Sequence, residues 1–206
     1  VHELARFNVE LNVAPQPIAG AGLRLLEREL DETWGACLAT AAQMDATLLA
    51  IGILPTVTDA LLCAESMSDS KRYKALNDQV LRERKGLPIQ LDIVGREHYR
   101  TEHRDVMLEA AATSFQVHLQ VPAEHAMRYY NAAVIASAAT VAVAANSPLL
   151  FGHLLWEETR IPVFEQGLGR GEPAKRVTFG SGYVRASLGE LFVENREHYR
   201  PMLPID

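Results

Sequence analysis

Two seven-residue stretches of this 206-residue chain read alike: F-N-V-E-L-N-V at 7–13 and F-Q-V-H-L-Q-V at 115–121. Apolar and polar residues alternate strictly in both, so an extended backbone would send one set to each face. Glu10 and His118 hold the central position of the polar face, flanked by Asn8 and Asn12 in the first stretch and by Gln116 and Gln120 in the second. Set side by side in one sheet, they would make a polar floor suited to a polyanion with a metal ion. A hard cation such as Mg2+ takes carboxylate oxygens and shares its shell with substrate phosphates. Glu10 is thereby a candidate metal ligand, and Gln116 or His118 a candidate for orienting nucleotide. The ordinary alternative is a half-buried strand whose polar face meets solvent.

Arg160, in the string E-E-T-R-I-P at 157–162, is the remaining chemical candidate. A planar guanidinium can clamp the oxygens of a transferring phosphoryl group or an acyl phosphate; a surface salt bridge is the ordinary alternative. Gly180-Ser181-Gly182 lacks the lysine and the spacing of a phosphate loop and reads as a turn. His2, His98, His103, His125, His153 and His198 lie in charged or helical surroundings and read as surface residues.

The elements that must position these residues follow from periodicity. The 7–13 and 113–121 stretches are expected as strands, and 89–93 (Ile89, Leu91 and Ile93 alternating with Gln90 and Asp92) as a third. The apolar run 47–54, stopped by Pro55, is expected as a buried strand. Leu23, Leu26, Leu30, Trp34, Cys37, Leu38 and Ala41 recur at helical spacing and predict a long helix reaching about 46; a second helix is expected over 71–84, broken by Gly86-Leu87-Pro88. Residues 95–104 read as a charged connection. The Ala-rich run from 123, opened by Pro122 and closed by Asn146-Ser147-Pro148, reads as a buried core helix. A loop and short helix are expected over 149–165, a linker over 167–173, a strand or irregular turn over 176–184, and a last helix over 187–199 closed by Pro201 and Pro204.

Composition excludes several classes. A net charge of -6 and a pI near 5.7 give no basic footprint for nucleic acid. The apolar run 132–145 is too short to span a bilayer, and the first residues carry no basic leader with an apolar core. Cys37 and Cys63 stand apart with no C-x-x-C pair, which favours a reducing, cytoplasmic setting over a disulfide framework or zinc site. One domain over 1–206 is expected.

Several blocks resemble glutamate-cysteine ligase family 2. They are FNVELNVAPQPIAG at 7–20, GILPT at 52–56, RYKALN at 72–77, MLEAAATSFQVHLQV at 107–121, NSPLLFG at 146–152, WEETRIPVFEQ at 156–166 and RVTFGSGYV at 176–184. They span nearly the whole chain in the family's order, far more than a lone glycine loop. The resemblance implies an α+β fold of the glutamine synthetase and guanidino kinase type, a curved, mainly antiparallel sheet flanked by helices. ATP and Mg2+ would bind in its concave face.

By the same resemblance, Glu10 falls on the metal-binding strand carboxylate, Gln116 and His118 on the Gln-x-His strand near nucleotide and metal, and Arg160 on the substrate or phosphate arginine. The implied activity is formation of γ-glutamylcysteine, a step of glutathione biosynthesis, through an acyl phosphate. The substrates would be glutamate and cysteine or another amine. A guanidino phosphotransferase, or a nucleotide- or amino-acid-binding module of the same fold, is the rival. The family's upstream Gly-x-Glu-x-Glu strand and a downstream segment with basic and acidic site residues are not recognisable, so the central portion of the catalytic domain is expected. Sheet edges left open in this way would favour association with another copy.

Overall fold

The computed structural model describes residues 3–168 and 182–199. The chain divides into two compact units, 1–50 and 51–206.

In the first unit, α1 (Gly22–Gln43) is the long helix that the apolar spacing predicts; Leu26, Leu30, Trp34 and Cys37 form its half-buried stripe. It ends where Asp45 turns left-handed (φ 52°) and the Ala46 N–H reaches back to the Ala41 carbonyl at 2.9 Å. The 7–13 stretch forms no strand: Phe7 lies in a turn, Val9 carries only a single β-bridge, and both side chains are exposed. Alternation prescribes two faces for a strand but supplies no neighbour to bond its backbone.

The second unit holds the core. Strand β1 (Ile89–Val94) pairs antiparallel with β2 (His98–His103), matching Leu91 to Thr101 and Ile93 to Tyr99. Ile89, Leu91 and Ile93 are all but fully buried, as their alternation predicts, and Met107, Leu108, Leu150, Leu155 and Val163 are buried with them in the core. Helix α4 (Arg160–Gly167) and the 3-10 helix Val106–Ala111 cover this face. The open edge of β1 is closed by side chains in place of a third strand. The Gln166 amide bonds both the N–H and the carbonyl of Asp92, at 2.7 and 3.0 Å, and the Trp156 indole donates to the Val94 carbonyl at 2.9 Å.

Strand β2 corrects the expected 95–104 connection. Its inward side chains are Tyr99, Thr101 and His103, and one carboxylate, Asp59, answers all three. Tyr99 and Thr101 donate to Asp59 Oδ2 at 3.3 and 3.1 Å; His103 Nε2 lies 2.9 Å from Oδ1 without hydrogen-bond alignment. Burial pushes the Tyr99 phenol above its ordinary pKa. His103 is only 6% exposed, against the expectation of a surface residue. The turn joining the strands lies against Leu155, so closely that a Cβ on Gly95 would come within 2.6 Å of the Leu155 carbonyl carbon.

Helix α2 (Lys71–Glu83) matches its expectation, and Lys85 and Gly86 end it with positive φ. The 47–54 run forms no strand. Leu49 is 60% exposed, and only an isolated antiparallel bridge, Ile53 to Ala112, marks its end. The 113–121 stretch is likewise outside any ladder, with Phe115 and Val117 more than 70% exposed. Helix α3 (Ala126–Ala144) forms where the Ala-rich run predicts, after a 3-10 turn at Ala123–His125, but none of its residues is buried. Helical propensity sets such a segment without a partner surface. Two short strands, β3 (Leu149–Leu150) and β4 (His153–Leu154), make a tight hairpin before α4, and α5 (Gly189–His198) is the expected last helix.

The class is α+β with antiparallel sheets, as expected; the described residues contain two two-stranded sheets. Most of the expected linker, most of the 176–184 segment with Gly180 and Ser181, His2, Pro201 and Pro204 lie outside the described residues.

Replacing Ile93 by Ala is expected to destabilise the second unit by about 2–5 kcal/mol. Val94→Ala, at a 68% exposed site, should stay within about 0.5 kcal/mol; urea midpoints compare the two. Hydrogen bonds from Arg100 and, next, His98 hold the Asp92 carboxyl below the ordinary aspartate range. A carboxylate depressed in the folded state stabilises it above the ordinary range and loses that contribution as pH falls through the folded value. Urea unfolding at pH 7 and pH 3 should therefore show a smaller acid-induced loss in Asp92→Asn than in the natural sequence, since the drop begins below about pH 4.

Candidate active site

The most developed constellation centres on Arg160. It opens α4, and its side chain is 22% exposed, bonded on two sides. The Nε and Nη2 groups meet Glu158 Oε1, and Nη1 donates to the Thr113 carbonyl at 2.6 Å. Of the five guanidinium N–H groups this leaves one on each terminal nitrogen without a partner among the described residues. A planar fork with two such donors has the form that the oxygens of one oxyanion can meet bidentately.

Local backbone features explain how the arginine is seated. Ser147 and Glu158 form a parallel bridge, and the Thr159 N–H donates to the Ser147 carbonyl at 3.0 Å, which brings 146–147 beside 157–160. The Asn146 side-chain oxygen accepts the Gly52 N–H at 2.9 Å. Thr113 closes the other side: its N–H reaches the Gly52 carbonyl at 2.8 Å, and its hydroxyl bonds the Ile51 carbonyl. Gly52 has no side chain for a steric reason, since a Cβ there would stand 2.7 Å from Arg160 Nε and 2.6 Å from Asn146 Oδ1. Glu158 is 8% exposed, so the pair sits where an unmatched charge would be costly, and it is electrically neutral as it stands.

Among the other candidates, Gln116 and His118 are brought together. His118 Nε2 lies 3.1 Å from Gln116 Oε1, as two residues of one extended face should. The donor and acceptor roles in this contact depend on the imidazole tautomer. Both side chains are exposed. Glu10 is exposed and belongs to the first unit. Among the described residues no three His, Cys, Asp or Glu side chains converge on one point, so these residues do not by themselves make a metal cage.

Sequence reasoning found Arg160 and missed the residues that hold it: Gly52, Thr113, Asn146, Ser147 and Glu158. The available signal was their distribution. Each falls in a different one of the resembling blocks except for the neighbours Asn146 and Ser147 and the Glu158 that shares Arg160's block, and four blocks thus converge on one guanidinium.

Comparison with known proteins gives one result that bears on this site. The family model of glutamate-cysteine ligase family 2 matches residues 1–185. No curated protein and no solved structure matches the chain. No helix among the described residues is long and apolar enough to cross a membrane. With nine-tenths of its length matched, and with the residues around Arg160 all inside the match, the chain belongs to glutamate-cysteine ligase family 2, a family of carboxylate-amine ligases.

Proposed function

We propose that this chain is the central part of the catalytic domain of an ATP-dependent ligase that joins the side-chain carboxylate of glutamate to the amino group of cysteine. The observation that carries the proposal is the seated Arg160 fork, within a chain of this family. In the first step a glutamate carboxylate oxygen attacks the terminal phosphorus of ATP; the bond to the bridging oxygen breaks and ADP departs. In the second, the neutral amine attacks the acyl carbon of the resulting acyl phosphate, inorganic phosphate leaves, and the amine proton passes to solvent. γ-Glutamylcysteine results, the thiol dipeptide from which glutathione is made.

Both steps gather negative charge on phosphoryl oxygens, and fixed donors aimed at them lower the barrier more than mobile ones. Arg160 has the required form, because its orientation is set before substrate arrives. Gln116 and His118 orient nucleotide in this proposal, and Glu10 and His118 are the candidate metal ligands. Mg2+ would neutralise phosphate charge, drawing most of its shell from phosphate and water oxygens. The two free cysteines, Cys37 and Cys63, support a reducing, cytoplasmic setting.

One observation favours the rival, a nucleotide- or amino-acid-binding module: Glu158 already neutralises the arginine.

The test is Mg2+-dependent ADP release by the full-length protein with glutamate and a panel of amines, with hydroxylamine as trap. A ligase acting through an acyl phosphate yields a hydroxamate; a guanidino phosphotransferase does not. Arg160→Lys keeps a cation beside Glu158 but loses the fork, so kcat/KM should fall about 100- to 1000-fold with the melting temperature little changed. Nucleotide binding without ADP release under any amine would replace the ligase with the binding module.

A further inference from the structure

Glu158 has no substrate role in that proposal, yet more of the site runs through its carboxylate than through any other group. Oε2 accepts the Asn146 N–H at 3.0 Å and the Ser147 hydroxyl at 3.1 Å, while Oε1 takes Nε and Nη2 of Arg160. Ser147 is fully buried, and its hydroxyl oxygen also lies 3.3 Å from the Arg160 N–H, so the backbone and the guanidinium of Arg160 are tied to one carboxylate, the first through Ser147. The arginine stem passes over Gly52, where a Cβ would stand 2.8 Å from Cδ. The Thr113 carbonyl fixes the far terminal nitrogen at 2.6 Å. Rotation about the last side-chain bonds is thus opposed from three directions.

A carboxylate in this place does two things to a neighbouring arginine. It cancels the charge, which weakens the pull on a distant anion, and it fixes the plane of the fork, which strengthens a contact needing two parallel N–H bonds. If binding charge were all the site required, Glu158 would be a handicap. Its burial, with each oxygen committed to Arg160 or to the loop that carries Asn146 and Ser147, fits an orienting role.

We propose that Glu158 is a positioning residue: it holds the Arg160 guanidinium in one orientation so that the remaining N–H on each terminal nitrogen meets a phosphoryl-type oxyanion. Gly52 provides the room without which that orientation cannot be reached. The inference rests on Arg160 being the oxyanion group of the proposed ligase.

The experiment uses the full-length protein and two readouts. Glu158→Gln keeps shape and one acceptor but removes the charge that anchors Nε. It should lower kcat about 10- to 100-fold, the scale of a displacement near 1 Å, while KM for ATP stays within about threefold. Gly52→Ala should give the same split with Glu158 intact, and Glu158→Asp should recover part of kcat. The second readout needs no turnover. In protein labelled with nitrogen-15 at arginine, the Nε–H resonance of Arg160, identified by its absence in Arg160→Lys, should exchange slowly with water and respond to inorganic phosphate. In Glu158→Gln it should exchange as fast as a solvent-exposed arginine.

Wild-type kcat in Glu158→Gln with a protected resonance would overturn the assignment. So would a loss of kcat in all three variants that only follows their melting temperatures, with the resonance unmoved. Should Glu158→Gln fail to fold, Glu158→Asp and Gly52→Ala carry the same two readouts. A natural protein with no ligase turnover but with the protected, phosphate-responsive resonance would defeat the ligase proposal and leave the positioning role of Glu158 standing.

Discussion

The second unit contains a part-buried opposite-charge pair, half-buried Arg160 with buried Glu158, that cannot be broken cheaply. Removing either partner leaves a charge in a poorly solvated place, so everything that touches the pair is held to a narrow geometry. Three otherwise distant segments meet that demand: 51–53 through Gly52, 112–113 through Thr113, and 146–147 through Asn146 and Ser147. The hydrophobic layer of Ile89, Leu91 and Ile93 under α4 gives the pair its floor, because α4 begins at Arg160 itself. Core and site are therefore consecutive parts of one helix, with Val163 facing the core one turn after the arginine.

Elements whose sequence contained their own instructions were legible. Helices α1 and α2 carry an apolar period or clear ends, and β1 alternates with the buried set in the right phase. Strand β2 hid because its inward residues are Tyr99, Thr101 and His103; only the presence of Asp59, some forty residues earlier, makes such a face tolerable, and no local window contains that fact. Helix α3 was legible as a helix and misjudged as a core element, since its composition speaks to backbone preference and a buried position depends on what lies opposite.

The polar stretches teach the same distinction more sharply. In 7–13 and 115–121 alternation prescribes two faces, but backbone pairing is a long-range property: neither stretch forms a strand among the described residues, and Val9 has only a single bridge. What survives is local: Gln116 and His118 do share one face and one hydrogen bond. The residues alone offer Arg160 as an oxyanion clamp or a surface salt bridge, because E-E-T-R looks like any solvated charged string until Ser147 and Gly52 are placed around it; the family resemblance is what favours the clamp.

If Arg160 takes an oxyanion as proposed, the neutrality of the Arg160 and Glu158 pair would also govern how that anion is sensed from afar. A lone guanidinium projects a field over roughly a Debye length, about 8 Å at physiological salt, whereas a pair in contact leaves only a dipole whose influence fades over a few ångströms. An oxyanion site of the proposed kind would not draw anions in; it would sort them on arrival, by whether their oxygens match the spacing of two fixed N–H groups. Encounter is then nearly indifferent to ionic strength, and discrimination among anions becomes a matter of shape in place of charge.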